Sequence, residues 1–293
     1  MDFKNIEISD RSRLLKYLCS EKEQSCGNTF VNLLVWQKLY GAGFAEEDGV
    51  LYIRYLLPET EMYTLPLGDT LKGVKRLIAE KGEMPFFYAA DGEAFRAFLA
   101  EYGESYEINE SRNEFDYIYL RENLEFLRGK KFHSKRNHIA AFSKQYDWSY
   151  KAVTYENIPQ VRECAEKWYS AHSAVSDAEM ATEREGLKTM LANFDALGLS
   201  GGMINIGEET VAFTLASAVN GNTYDIHIEK ALPEYDTAYT VINREFVSSL
   251  PENVKYINRE DDLGLEGLRR AKLSYHPDIM LKKYLCIPKE GKL

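Results

Sequence analysis

The sequence predicts an α+β protein of mixed α/β layers, with mixed central sheets and flanking helices in two domain-sized halves. Three observations lead there. The chain has 293 residues and 45% hydrophobic content, enough for two cores of about 150 residues each. Over residues 1–120, segments of helical periodicity alternate with short apolar runs closed by turn residues. In the second half the order is helix, helix, three strands, helix, strand, helix, strand.

Each element has its own local reason. TFVNLLVWQKLYG (29–41) spaces its apolar residues as a helix and stops at Gly41. DGVLYIRYLL (48–57) opens on an Asp-Gly turn and reads as a strand closed by Pro58. DTLKGVKRLIAEKG (69–82) reads as a capped helix, PFFYAA (85–90) as a buried strand and DGEAFRAFLAEYG (91–103) as another helix. Residues 121–146 form one or two helices with Leu124, Leu127, Phe132, Ile139 and Phe142 inward. They bridge the halves, giving segments 1–120, 121–147 and 148–293. After two helices (154–172 and 178–198) comes a strand meander over 201–231, with turn signals at Gly207-Glu208 and Asn220-Gly221-Asn222. A helix (238–250), the strand VKYIN (254–258), a last helix near 263–275 and a closing strand complete the order. The strand YEINES (106–111) echoes YINRE (256–260), a strand ending in Asn plus acid, which suggests a duplication.

Composition narrows the function classes. The formal net charge is -10 and the pI is about 5.2, so nothing global attracts nucleic acid or an anionic membrane. Cys19, Cys26, Cys164 and Cys286 form no CxxC pair and have no histidine at ligand spacing, which indicates reduced cytoplasmic thiols and no metal site. The amino-terminal residues lack an apolar signal core, and no run approaches the roughly 18 apolar residues of a membrane span.

The order of elements in the second half is that of a GNAT-type N-acyltransferase domain. Three stretches add a more specific resemblance: DYIYLRENLEFLRGKKFHSKRNHIAAF (116–142), the meander with YDIHIEKA (224–231), and YINREDDLGLEGLRRAKLSYHP (256–277). Together they resemble the bacterial family related to the C-terminal catalytic domain of phosphatidylglycerol lysyltransferase, itself similar to the Fem peptidoglycan aminoacyltransferases. The resemblance implies tandem GNAT-like domains side by side, with the working site in the second domain or in the groove between them. It also implies an activated acyl donor, aminoacyl-tRNA or acyl-CoA, and an amine or hydroxyl acceptor, a small molecule or a lipid headgroup. Segment 231–243, where a GNAT domain usually places a glycine-rich pyrophosphate turn, has no glycine and carries Glu234 and Asp236. That composition disfavours coenzyme A. No sustained heptads mark the coiled-coil arm that Fem enzymes use in handling tRNA.

The motifs offer chemistry that the residues themselves suggest. Glu260, Asp261 and Asp262 precede the last helix, where one of the two aspartates suits an N-cap. Three adjacent acids exceed what one cap requires. Their repulsion raises a carboxyl pKa, so Glu260 or Asp261 suits steering or deprotonating an amine nucleophile, with Asn258 and Arg259 beside them. Arg269, Lys272 and His276 fall near one helix face, as a clamp for an anionic group or as cations that complement the helix dipole. Lys272 is read as the substrate contact of the three. Tyr275 is a candidate proton donor to a leaving group, and Pro277 biases His276 toward extended backbone.

Strand alternation in YDIHIEKA places Asp225, His227 and Glu229 on one face, as a groove lining or as a solvent-facing edge. The basic cluster with Arg128, Lys130, Lys131, His133, Lys135 and Arg136 reads as a grip on a phosphate-bearing donor such as tRNA, or as a solvated face. The leading expectation is a metal-free acyl- or aminoacyltransferase. Its rivals are a catalytically silent module that binds a small anionic metabolite and a tRNA-binding accessory protein.

Overall fold

The computed structural model describes residues 1–20, 24–172 and 178–290. In chain order the first half runs α1 (Arg11–Leu18), α2 (Phe30–Tyr40), β1 (Gly43–Glu47), β2 (Val50–Leu57), β3 (Thr60–Thr64), α3 (Thr70–Lys81) and β4 (Phe86–Ala90). It continues with α4 (Glu93–Tyr102), β5 (Tyr106–Glu110) and β6 (Asp116–Leu120). The bridge is α5 (Arg121–Phe126) and α6 (His133–Gln145). The second half runs β7 (Trp148–Ala152), α7 (Ile158–Ala171), α8 (Ala178–Ala192), β8 (Leu199–Ile206), β9 (Glu209–Ala218) and β10 (Thr223–Ala231). It ends with α9 (Ala238–Ser249), β11 (Tyr256–Asn258), α10 (Glu266–Leu273), β12 (Ile279–Leu281) and β13 (Lys283–Pro288).

Local chemistry accounts for the boundaries. Thr29 accepts a hydrogen bond from the Asn32 N–H at the start of α2, and Gly41 ends that helix at φ +58°. Asp69 and Gly82 do the same for α3. The five residues read as inward in the bridge are all buried. Sequence reading assigned no element to 11–18, 43–47, 60–64 or 148–152, which are short or lack alternation, and gave no bounds to the closing strand, which falls as two strands within 279–288.

The strands form two mixed sheets, in the orders β1-β2-β3-β4-β13-β5 and β12-β6-β11-β10-β9-β8-β7. Both contain an antiparallel three-strand meander followed by one parallel pair, β3 with β4 and β10 with β11. A helix makes each parallel crossover, α3 in one half and α9 in the other. This is a tandem GNAT-like α+β fold. Beyond each parallel pair the halves trade a strand. The final strand of the first half, β6, lies between β11 and β12, while β13 lies between β4 and β5.

The trade corrects the internal echo. β5, which carries YEINE, occupies the edge position held by β12 in the other sheet, whereas β11 is matched by β4. The likeness of 106–111 to 256–260 therefore pairs strands that are not equivalent.

The last helix is shorter than its periodicity suggested. Leu263 and Gly264 have φ +49° and +75°, so α10 starts only at Glu266. Its N-cap is Leu265, and neither aspartate caps it. Instead each aspartate closes a turn ahead of the helix: Asp261 Oδ1 accepts from the Leu263 N–H at 3.2 Å and Asp262 Oδ1 from Gly264 at 2.9 Å. His276 is not extended despite the proline that follows it, because it ends the turn after α10 at φ +53°.

Candidate active site between the two sheets

Three segments converge on one buried cluster. Asn32, in the first turn of α2, donates through Nδ2 to Glu260 Oε1 at 2.8 Å, to the Cys26 carbonyl at 3.0 Å and to Asp225 Oδ2 at 3.3 Å. Its Oδ1 faces His227 Nδ1 at 3.1 Å. A β-bulge between Ile226 and Ile228 leaves His227 beside Asp225 and shifts the residues that follow, and His227 Nδ1 comes within 3.4 Å of Asp225 Oδ2 and 3.5 Å of Glu260 Oε1. His227 Nε2 meets the Ser217 hydroxyl at 2.8 Å.

Asp225 and His227 share a face as the alternation predicts, and the bulge breaks that alternation only for Glu229. Asp225 and His227 are buried inside the sheet, with β9 and β11 on either side of β10, so they form no solvent-facing edge. Glu229 joins a different group.

A strained turn fixes the acids. Asn258 Oδ1 accepts from the Glu260 N–H at 2.7 Å, and Glu260 is held at φ +56°. For a residue with a Cβ that conformation costs on the order of 1–2 kcal/mol, so the surroundings must impose it. Lys272 is buried and donates to the backbone carbonyls of Arg259 and Asp261. Asp262 is fully buried and accepts from Arg269 Nε at 2.9 Å and Nη2 at 2.8 Å, and from the Tyr117 hydroxyl at 2.5 Å.

These contacts dismantle the expected clamp of Arg269, Lys272 and His276. Arg269 is spent on Asp262, and Lys272 faces inward because a desolvated ammonium needs acceptors. His276 meets the Lys131 carbonyl at 3.3 Å on the outside.

Behind the turn lies a buried ion pair, Lys283 Nζ to Asp116 Oδ1 at 2.5 Å. Asp116 also accepts from the Cys26 N–H at 2.9 Å, the Cys26 thiol at 3.1 Å and Asn258 Nδ2 at 2.9 Å. Cys26, Asn32, Asp116 and Lys283 escaped the sequence reading. The available signal was Asp116, an acid opening the otherwise apolar strand DYIYL, where burial demands a partner.

The cluster floors a cavity of about 300 Å³. Glu114, Glu260, Asp261, Lys283 and Cys26 form its polar end, while Leu33, Trp36, Tyr40, Tyr55, Leu57 and Met62 wall the rest. Burial, with Glu260 and Asp116 adding to it against Lys283, pushes the Asp261 carboxyl up to about 7. Burial and Glu260 push Asp225 well above the carboxylate range. Burial and Asp116 raise the Cys26 thiol far enough to keep it protonated. Burial acts against the Lys283 ammonium, but Asp116 holds its pKa well above the usual lysine value. Burial lowers Lys272.

Two donor sets, Cys26/Asp116/Asp261 and Asp225/His227/Glu260, have their atoms within 4.8 Å of one another, a spacing a metal ion could bridge. Lys283 already supplies the cation in the first set. The Asn32 amide supplies the donors in the second.

A second group forms around Arg259. Its guanidinium pairs with Glu229 at 2.5 Å and lies 4.7 Å from the centre of the Tyr275 ring. Lys135 lies 3.7 Å over the same ring, and burial together with Arg259 lowers its ammonium to about 8. Tyr275 is buried, which raises its phenol against the pull of Arg259. Arg136 donates to the carbonyls of Leu127 and Gly129, and Lys131 is exposed over Phe132. The basic cluster is thus divided among separate tasks.

No helix among the described residues is long and apolar enough to cross a membrane. A conserved protein of unknown function from Bacteroides thetaiotaomicron is 34% identical, with a TM-score of 0.91 over 99% of this chain and 100% of that one. L-PGS from Bacillus licheniformis shares the fold at 14% identity, TM-score 0.64, over 99% of this chain and 94% of that chain. An uncharacterized protein of Mycoplasmoides gallisepticum is 26% identical over 185 residues, 61% of this chain and 57% of that protein. The match thus spans little more than half of that relative. The profile described as "Phosphatidylglycerol lysyltransferase, C-terminal" matches residues 20–287. By that match, across both sheets and the cavity between them, the chain belongs to the phosphatidylglycerol lysyltransferase C-terminal family.

Proposed function

We propose that this protein transfers an activated acyl or aminoacyl group to an amine bound at the floor of the inter-sheet cavity. The observation that carries the reading is the position of Asp261: a carboxyl raised to about 7, lining a cavity beside Glu260 and facing apolar and aromatic side chains. Aminolysis needs a neutral nitrogen, and a base titrating near the working pH suits that proton transfer. The amine nitrogen attacks the acyl carbonyl carbon and its proton passes to Asp261. The C–O or C–S bond to the donor breaks, and the leaving oxygen or sulfur takes up a proton.

Glu260 would hold the amine through its second carboxylate oxygen, because Oε1 already accepts from Asn32. Lys272 and Asn258 keep the turn in place and act as positioning residues. Tyr275 takes no part in this proton transfer, since its ring is buried beneath Lys135 and Arg259.

For the donor, the family and the segment around 231–237 favour aminoacyl-tRNA over coenzyme A. Glu234 and Asp236 precede α9 where a pyrophosphate would need N–H groups free of negative charge. Lys131, Lys135 and Arg136 are the cations this reading places nearest a phosphate-bearing donor. The test is label transfer from charged tRNA and, separately, from acyl-CoA onto a mixed amine pool, read by intact mass. Transfer from charged tRNA that Asp261→Asn abolishes supports the reading; transfer unchanged in that variant refutes it.

A further inference from the structure

The apolar part of the cavity poses a question that the acids do not answer: what body is attached to the amine? We infer that the cavity takes a primary amine carrying one compact apolar body of about aromatic-ring size, with its ammonium on Glu260 and Asp261 and its ring against Trp36, Tyr40 and Tyr55. The inference rests on the amine reading above and extends it to the substrate class.

Charge settles the polar end. Among the described residues, three carboxyl groups, Glu114, Glu260 and Asp261, line the cavity against one cation, Lys283, which is already neutralised by Asp116. An anionic headgroup would meet this acid excess in a desolvated site, whereas an ammonium would offset it.

Shape and polarity settle the other end. Trp36 and Tyr40 have ring centroids 6.2 Å apart, and Tyr40 meets Tyr55 edge-on at 6.5 Å, so the three rings make one continuous wall. Such walls favour offset or edge contact with another ring. Leu33, Leu57 and Met62 extend the apolar lining, and among the described residues this wall has no second charged anchor. A diamine would have to bury its far ammonium there without a partner. The volume, about 300 Å³, lies at the small end of ligand sites and suits a compact body better than a long acyl chain.

The test is isothermal titration of the intact protein with phenethylamine, cadaverine, 2-phenylethanol and glycerol 1-phosphate. Phenethylamine is expected to bind at least about tenfold more tightly than each of the others. Trp36→Ala, checked for folding by circular dichroism, should narrow its advantage over cadaverine to less than about threefold, and Tyr40→Leu serves as the second wall variant if Trp36→Ala does not fold. Cadaverine binding more tightly than phenethylamine would overturn the inference about the body while leaving the amine reading in place. Equal binding of 2-phenylethanol and phenethylamine would overturn both. Unchanged selectivity in a folded wall variant would also defeat the inference.

Discussion

Lys283 and Asp116 illustrate how a buried pair ties distant parts of the chain together. Replacing Lys283 with Met leaves a carboxylate fully desolvated with only neutral donors from Cys26 and Asn258. The expected loss is about 3–5 kcal/mol in urea unfolding, and Lys283→Met with Asp116→Asn should recover a large part of it. Asp261 behaves in the opposite sense. Its folded pKa lies above that of an unfolded aspartate, about 3.9, so its contribution to stability is greatest below that value and is lost as pH rises through about 7. Asp261→Asn should therefore melt higher than the wild type at pH 8, with the difference closing as pH falls toward 4. At this scale three adjacent acids, more than one helix cap requires, drew attention to the turn from which Glu260 and Asp261 reach the cavity, whereas Asp262 is held by Arg269 and Tyr117. The Lys283–Asp116 pair was not legible, since neither residue carries a local sign of its partner.

Helices α2 and α8 approach closely because Gly186 has no side chain. A Cβ there would lie 2.2 Å from Val35 Cγ1. Alanine is the better helix former by about 1 kcal/mol, but overpacking against a β-branched neighbour costs about 1–3 kcal/mol. Gly186→Ala should thus lower the melting temperature, and Val35→Ala in the same chain should restore part of it. The effect should reach the site, because α2 carries both Asn32 and Trp36. Elements with strong punctuation were legible: Thr29 to Gly41 and Asp69 to Gly82 show both ends of their helices in the sequence. The bulge in β10 was not. A period of two has no way to announce an inserted residue, so Glu229 was placed on one face with Asp225 and His227, and its separation from them appeared only with the register.

Across the whole molecule, the exchange of β6 and β13 makes each sheet depend on the other half of the chain. Leu285 pairs with Tyr88 of β4 on one side and Asn109 of β5 on the other. Leu285→Pro removes an internal ladder donor. Hydrogen exchange should then speed up at 86–90 and 106–110 together, while β8 and β9 keep their protection. Loss confined to residues after 283 would contradict the interlock. The tandem plan was readable from the order of elements, but the exchange was not, because strand order within a sheet is a long-range choice that no local pattern encodes. The cavity lies where the two halves interlock: β13 brings Lys283 to it, and the turn after β11 brings Glu260 and Asp261.

The central claim is that Asp261 receives the proton of an amine nucleophile in that cavity. The most direct measurement is the pH dependence of the initial rate of acyl transfer from charged tRNA to phenethylamine, for the wild type and Asp261→Asn. The wild-type rate should climb through an apparent pKa near 7, since only the ionised carboxyl accepts the proton, and the variant should be slower by about 10²–10³-fold with that inflection gone. A variant that keeps the wild-type rate and the same inflection would contradict the account.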